Sequence, residues 1–175
     1  MENFSQSVIA SPSIFTGKKY VDNKNEDFVL DYVNKLNIIG LFFTASWCPP
    51  CQKFAEELIE VYNDANLIAK EAGKDNIFEI IQVSSEKNEL DFVETILEKP
   101  WINVPFNDNF NDYLITEYKI NHMPVLLIIT RDRVVISDNP RGDIAELGVK
   151  AHEKWIKTYK AQKERERELQ NVHNN

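Results

Sequence analysis

Cysteine, glycine and long apolar runs are all scarce in this sequence. Its 175 residues include only two cysteines and five glycines. The longest apolar stretches, over residues 38–45 and 125–130, are far too short to span a bilayer. The N-terminus has neither the basic region nor the apolar region of a secretory signal, so the expected location is the cytosol.

Positive charge is also in deficit. The chain has 20 Lys and Arg against 28 Asp and Glu, which gives a formal net charge of −8. Nucleic acids and anionic membranes attract proteins through basic surfaces, so we expect neither as a partner of the whole protein. The hydrophobic content of 43% is ordinary for a globular domain with a sizeable core.

The clearest pattern surrounds the two cysteines. An apolar run over 38–45 predicts a strand buried on both faces. From Cys51 to Gly73, apolar residues recur at helical spacing, and a second apolar run over 77–83 follows. Strand, helix and strand in this order predict a parallel crossover unit.

The remaining segments give weaker signals. They predict a β-hairpin over 14–21 centred on Gly17, an amphipathic helix over 26–36, helices over 89–99 and 112–118, an antiparallel pair of strands over 125–130 and 134–136, and one long helix from about Asp143 onward. We expect a flexible segment over 1–13, a single domain over 14–160, and a charged helical extension or tail over 161–175.

Cys48 and Cys51 form a lone C-x-x-C motif, which allows three interpretations. Half of a structural zinc site would need two further ligands, and the chain offers only the scattered His122, His152 and His173. A pair of inert buried cysteines would explain neither the preceding Trp nor the intervening prolines. A redox-active pair fits the surroundings best, because a reduced compartment favours catalytic over structural use of such a motif.

The position of Cys48 suits a reactive thiolate. It stands where a buried strand gives way to a helix, so the positive end of the helix dipole would stabilise its sulfur. Pro49 and Pro50 are tolerated in the first helical turn, where a missing N–H has no intrahelical role. They leave the N–H and S–H of Cys51 as the nearest donors to the Cys48 sulfur. Cys48 would then attack, and Cys51 would resolve the mixed disulfide.

The motif Trp47-Cys48-Pro49-Pro50-Cys51 resembles the tryparedoxin and nucleoredoxin branch of the thioredoxin superfamily. Residues 42–46, 83–86, 92, 100–106 and 141–155 are similar to further segments of that branch, and the resemblance covers about 14–158. It implies an α/β thioredoxin-like fold, with a mixed central sheet flanked by helices, an N-terminal β-hairpin extension and a long C-terminal helix.

The resemblance also implies roles for individual residues. Cys48 would be the nucleophile and Cys51 the resolving thiol, with Pro124 as a cis-proline facing them. Substrate would contact Trp47, Pro49, Met123 and Pro124, with the Met123 backbone pairing with an extended peptide. Trp47 has a structural alternative, as a cover for the helix start.

Two positions, Phe42 and His122, depart from the family pattern. Phe42 stands six residues before Cys48, where thioredoxins proper carry a buried acid. Glu86 is the substitute candidate to take the Cys51 proton, although a solvated loop glutamate is an alternative. His122, two residues before Pro124, would favour the Cys48 thiolate when cationic, unless it is a surface loop histidine.

The expected activity is reduction of disulfides in protein substrates, peroxidases among them. A low-molecular-weight dithiol or a flavin reductase would supply electrons, and neither cofactor nor metal is needed because two sulfurs carry both electrons. One alternative is a binding or scaffold protein whose 154–168 segment, with six Lys and Arg against three Glu, meets an acidic surface such as tubulin. Another is a redox sensor whose partner binding changes on oxidation.

Overall fold

The computed structural model describes residues 13–29 and 35–173, without the side chains of Phe28 and Val29. Strands alternate with helices along most of this part of the chain. The strands are β1 (Lys19–Val21), β2 (Asp27–Val29), β3 (Ile38–Thr44), β4 (Phe78–Ser84), β5 (Ile102–Asn103), β6 (Val125–Thr130) and β7 (Val135–Ser137). The helices are α1 (Pro49–Glu71), α2 (Glu89–Ile96), α3 (Asn109–Glu117), α4 (Pro140–Leu147) and α5 (Ala151–His173).

The described strands form one mixed sheet in the order β2-β1-β5-β4-β3-β6-β7. The crossover unit that the sequence predicts is present, with β3 and β4 parallel on either side of α1. β6 runs antiparallel to the other edge of β3 and continues into the predicted antiparallel pairing with β7. This topology brings the end of β3 next to the start of β6.

The sheet has an apolar core on each face. β3 and β4 are buried along their whole length, as their continuous apolar runs predict. The core on the α1 and α5 side contains Phe42, Phe54, Leu58, Phe78, Trp101 and Trp155. The core on the α3 side contains Phe15, Leu41, Phe43, Ile81, Phe110 and Leu114.

The N-terminal hairpin exists, but its predicted bounds are wrong. Residues 14–17 form a turn, and Lys19–Val21 pairs antiparallel with Asp27–Val29. The Asp22 carboxylate makes the connecting turn by accepting hydrogen bonds from the backbone N–H groups of Lys24 (2.8 Å) and Glu26 (3.0 Å). The hairpin therefore spans 19–29.

The predicted helix over 26–36 is wrong at its start, because Asp27–Val29 is strand β2. Residues 30–34 of that prediction lie outside the described residues. Consecutive apolar residues are compatible with the period of a helix and with that of a strand. Here the pairing with β1 makes the segment a strand. The predicted flexible segment over 1–13 also lies outside the description, apart from Ser13.

The predicted single helix from Asp143 is two helices. α4 begins earlier, at Pro140, because the Asn139 side chain caps the Gly142 N–H (3.1 Å). Gly148, at φ +56°, ends α4, and a 3₁₀ turn over Gly148–Lys150 leads into α5. A left-handed φ favours glycine, which is why the break falls there.

The charged segment beyond Lys160 is helical as far as His173. No helix in the described part of the chain combines the length and apolar character needed to cross a membrane.

Candidate active site

The two cysteines lie at the junction between β3 and α1 and are joined by a disulfide. Cys48 is the residue that precedes the helix, and Pro49 and Pro50 occupy its first turn. Cys48 is 8% exposed, whereas Cys51 is fully buried. The sulfur that can meet a partner is therefore that of Cys48.

The start of α1 uses the Cys48 carbonyl oxygen as its first acceptor. The backbone N–H groups of Cys51 (3.0 Å) and Gln52 (3.3 Å) donate to it. The Cys51 N–H, predicted to be one of the nearest donors to the Cys48 sulfur, donates in the disulfide form to the Cys48 carbonyl oxygen instead. The helix N-terminus still points towards the pair, since Cys48 is its N-cap residue.

The peptide bond between Met123 and Pro124 is cis, as the resemblance implies. Met123 packs against the apolar cluster formed by Ala45, Cys48 and Cys51. The antiparallel pairing of β6 with β3, in which Val125 faces Phe43, sets this position. Residues about seventy positions apart in sequence therefore form the two walls of one site.

Trp47 stands beside the disulfide with 55% of its surface exposed. Its indole Nε1 donates a hydrogen bond to the Ser85 carbonyl oxygen (2.8 Å). One edge of the ring is thus fixed, and the rest is available for contact with a partner. The exposure agrees better with a docking surface than with a buried cover of the helix start.

The Glu86 side chain is hydrogen-bonded to other residues and is not an isolated loop glutamate. None of these hydrogen bonds involves Cys51. Its carboxylate accepts hydrogen bonds from the Ser46 N–H (2.8 Å), the Ser46 hydroxyl (2.6 Å) and the Thr95 hydroxyl (3.0 Å). Transfer of the Cys51 proton to Glu86 stays a prediction. What the geometry shows is an anchor for the residue that precedes Trp47.

A groove of about 720 Å³ opens beside the cysteine motif. Pro50 and Phe54 of α1 line it, together with His122 and Pro124 from the loop before β6. His122 is exposed, and its Nδ1 lies 2.8 Å from Asn121 Oδ1. The structure therefore brings His122 to the wall of the site, and its effect on Cys48 stays a prediction.

The opposite wall of the groove was missed in the sequence analysis. It comes from the start of α4, where the Arg141 guanidinium lies 5.2 Å from the centre of the Phe54 ring. Lys53 and Glu57, one turn apart on α1, also line the groove. The similarity of the Arg141-Gly142 segment to the family indicated that the segment was part of the domain. It did not indicate that the segment would line the groove.

Phe42, in the position of the thioredoxin acid, is fully buried among aromatic rings. Within the described residues, no group of three or more His, Cys, Asp or Glu side chains is arranged to hold a metal ion.

Comparison with known proteins agrees with this arrangement. A family model described as thioredoxin-like matches residues 35–135, which is more than half of the chain. The chain belongs to the thioredoxin-like family. Its nucleoredoxin and tryparedoxin members are thiol-disulfide oxidoreductases.

Two of the similar sequences are probable nucleoredoxins of Arabidopsis thaliana. Probable nucleoredoxin 1 is 35% identical over 115 residues, which are 65% of this chain and 19% of that protein. Probable nucleoredoxin 3 is 31% identical over 133 residues, which are 75% of this chain and 32% of that protein. This thioredoxin-like chain thus spans less than a third of either relative.

Among solved structures, the tryparedoxin of Trypanosoma brucei has a TM-score of 0.65 and 25% identity to this thioredoxin-like chain. The match covers 79% of this chain and 91% of the tryparedoxin. The fold predicted from the cysteine motif and its neighbouring segments is confirmed.

Proposed function

We propose that this chain is a protein-disulfide reductase that uses the Cys48–Cys51 pair as its two-electron carrier. The observation that carries the proposal is the placement of a disulfide at a helix N-terminus, with Met123 packed against it and cis-Pro124 lining the groove alongside. We place this activity in the cytosol, where a dithiol of this kind is kept reduced.

The reaction begins from the reduced pair. The Cys48 thiolate attacks one sulfur of a substrate disulfide, forming a mixed disulfide and releasing the other substrate sulfur as a thiolate, which takes up a proton. Cys51 loses its proton and attacks the Cys48 sulfur. The second substrate thiol leaves, and the Cys48–Cys51 disulfide remains. Two electrons have then passed from the dithiol to the substrate.

A low-molecular-weight dithiol or a reductase restores the dithiol by the reverse exchange. The difference in exposure supports this order of steps, because the attacking sulfur must reach a partner and the resolving sulfur need only reach Cys48. The substrate is a disulfide-containing protein, with oxidised peroxidases as one candidate class. An extended segment of it would pair with the Met123 backbone and contact Trp47, Pro49 and Pro124.

Insulin reduction with dithiothreitol as electron donor tests the proposal. The wild-type protein should accelerate precipitation of the insulin B chain, and Cys48→Ser should give only the uncatalysed rate. Equal rates for the two proteins would contradict the proposal. They would favour the scaffold alternative, in which the basic 154–168 segment of α5 meets an acidic surface.

The reduction potential of the pair tests the direction of the exchange. A potential near or below about −270 mV, the thioredoxin value, would support a reductant. A potential near about −120 mV would instead indicate a disulfide donor and would contradict the proposed direction.

A further inference from the structure

The loops that follow β3 and β4 are tied to each other beside the disulfide. The Ser85 N–H donates to the Thr44 carbonyl oxygen (2.9 Å), and the Trp47 indole Nε1 donates to the Ser85 carbonyl oxygen (2.8 Å). The parallel pairing of β3 with β4 places Thr44 opposite Ser84 and so brings these loops together. Trp47 therefore takes its position from the second loop as well as from its own.

Glu86 adds a charged link to this junction. Both of its carboxylate oxygens are used by Ser46, since Oε1 accepts from the backbone N–H (2.8 Å) and Oε2 accepts from the hydroxyl (2.6 Å). Hydrogen bonds to an ionised group are about twice as strong as those between neutral groups. The residue directly before Trp47 is thus held by a bidentate contact.

The link extends into the body of the protein through α2. The Thr95 hydroxyl lies 3.0 Å from Glu86 Oε1 and 2.8 Å from the Asp91 carbonyl oxygen, so its one proton is shared between these two acceptors, and Thr95 itself is only 5% exposed. Its helix packs through Phe92 and Ile96 against Val21 of β1. Glu86 therefore connects an exposed loop at the redox pair to the buried face of α2.

We propose that Glu86 is a positioning residue that holds Trp47 beside Cys48 as a preformed docking surface for protein substrates. This role rests on the proposed reductase function and is distinct from acceptance of the Cys51 proton. A fixed aromatic face lowers the ordering cost of binding a large partner. A small disulfide needs only the Cys48 sulfur, so it should be almost indifferent to where Trp47 stands.

The role predicts that Glu86→Ala discriminates between substrates. The Ser46 N–H and hydroxyl would turn to water, and the indole would keep only its bond to Ser85. We expect kcat/KM for insulin to fall about 10-fold, while that for the small disulfide 5,5′-dithiobis(2-nitrobenzoate) changes by less than about 2-fold. Glu86→Gln should lie between wild type and Glu86→Ala, because its amide oxygen can still accept from the Ser46 N–H.

A matched control is available on the same helix that anchors Glu86. Glu94 is an exposed glutamate of α2, and Glu94→Ala removes the same charge without touching Ser46. It should leave both rates at the wild-type level. Circular dichroism of each variant checks that the fold is retained, and Glu86→Gln supplies the test if Glu86→Ala does not fold.

Tryptophan fluorescence reports the positioning directly. The other two tryptophans, Trp101 and Trp155, are 2% and 1% exposed, so fast depolarisation in time-resolved anisotropy arises mainly from Trp47. The amplitude of this fast depolarisation should rise in Glu86→Ala and stay at the wild-type value in Glu94→Ala. This measurement requires no substrate and no catalysis.

Equal losses with insulin and the small disulfide, together with unchanged anisotropy, would overturn the proposal and favour a role for Glu86 in proton transfer. If wild type fails to reduce insulin, the reductase function fails on its own. Unchanged anisotropy in Glu86→Ala would then overturn the positioning role separately.

Discussion

Phe42 packs edge to face against Trp101, with 5.9 Å between the ring centroids. It makes a second edge contact with Phe54 of α1, at 5.8 Å. Phe42 lies on the strand that leads to Cys48, in the position where thioredoxins proper carry a buried acid. In this chain that position contributes packing between the sheet and α1, and it offers no carboxylate to the redox pair.

Replacing Phe42 should therefore change stability more than chemistry. Phe42→Leu loses two aromatic edge contacts and leaves a small cavity, so we expect the free energy of unfolding to fall by about 1–2 kcal/mol. Disulfide exchange at 25 °C should stay within about 2-fold of wild type, because no proton transfer depends on the ring. Urea unfolding and the insulin assay measure the two effects. Loss of activity with unchanged stability would contradict this role.

Asp143 ties three elements together at the α4 side of the groove. Its Oδ2 accepts hydrogen bonds from the Ser137 hydroxyl of β7 (2.6 Å) and the Trp155 indole of α5 (2.8 Å). Lys154 pairs with the other oxygen, Oδ1. Burial alone would raise the pKa of Asp143, but hydrogen bonds from Lys154, Ser137 and Trp155 outweigh it and hold the pKa below its usual value.

Asp143→Asn should lower the free energy of unfolding at pH 7 by about 1–3 kcal/mol, since one neutral oxygen cannot replace two ionised acceptors. Because the pKa is lowered in the folded state, the stabilisation is complete above the unfolded pKa of about 3.9 and is lost as pH falls through the folded pKa. Urea unfolding at pH 7, 5 and 3 should show the difference between variant and wild type shrinking only at pH 3. Asp75→Asn, an exposed carboxyl in the loop after α1, is the control. A constant difference at all three pH values would contradict the linkage.

His122 lines the groove with Pro50 and Pro124, next to the redox pair. A cationic imidazole there would favour the Cys48 thiolate. In His122→Ala, iodoacetamide should alkylate reduced Cys48 more slowly than in wild type, and the pH dependence of this reaction should change. In His173→Ala, which removes an exposed histidine at the far end of α5, the pH dependence should match that of wild type. An unchanged profile in His122→Ala would end the hypothesis.

The crossover unit around the cysteines was predictable because its signals are local. The apolar runs of β3 and β4 and the helical spacing of α1 each lie within one element. The family resemblance then added the cis bond between Met123 and Pro124, whose place beside the pair no local pattern reveals. The bounds of β3 and β4 differ from the prediction by one residue at their ends.

The errors fall where distant partners decide the structure. The strand at Asp27–Val29 depends on pairing with β1, and its apolar residues fit a helical period equally well. The break at Gly148 was hidden because Ile144, Ala151 and Trp155 keep one apolar face across it. The Glu86 contact joins residues 40 positions apart, so only the folded loops reveal that Ser46 is its partner.

The central claim is that Cys48 attacks and Cys51 resolves. Trapping tests it most directly, by mixing reduced Cys51→Ser or Cys48→Ser with oxidised insulin and separating the products by mass. Cys51→Ser should accumulate a mixed disulfide through Cys48, since the second exchange is blocked, and Cys48→Ser should accumulate almost none because Cys51 is buried. A stable adduct on Cys51 in Cys48→Ser, formed as fast as the Cys48 adduct, would contradict the assignment.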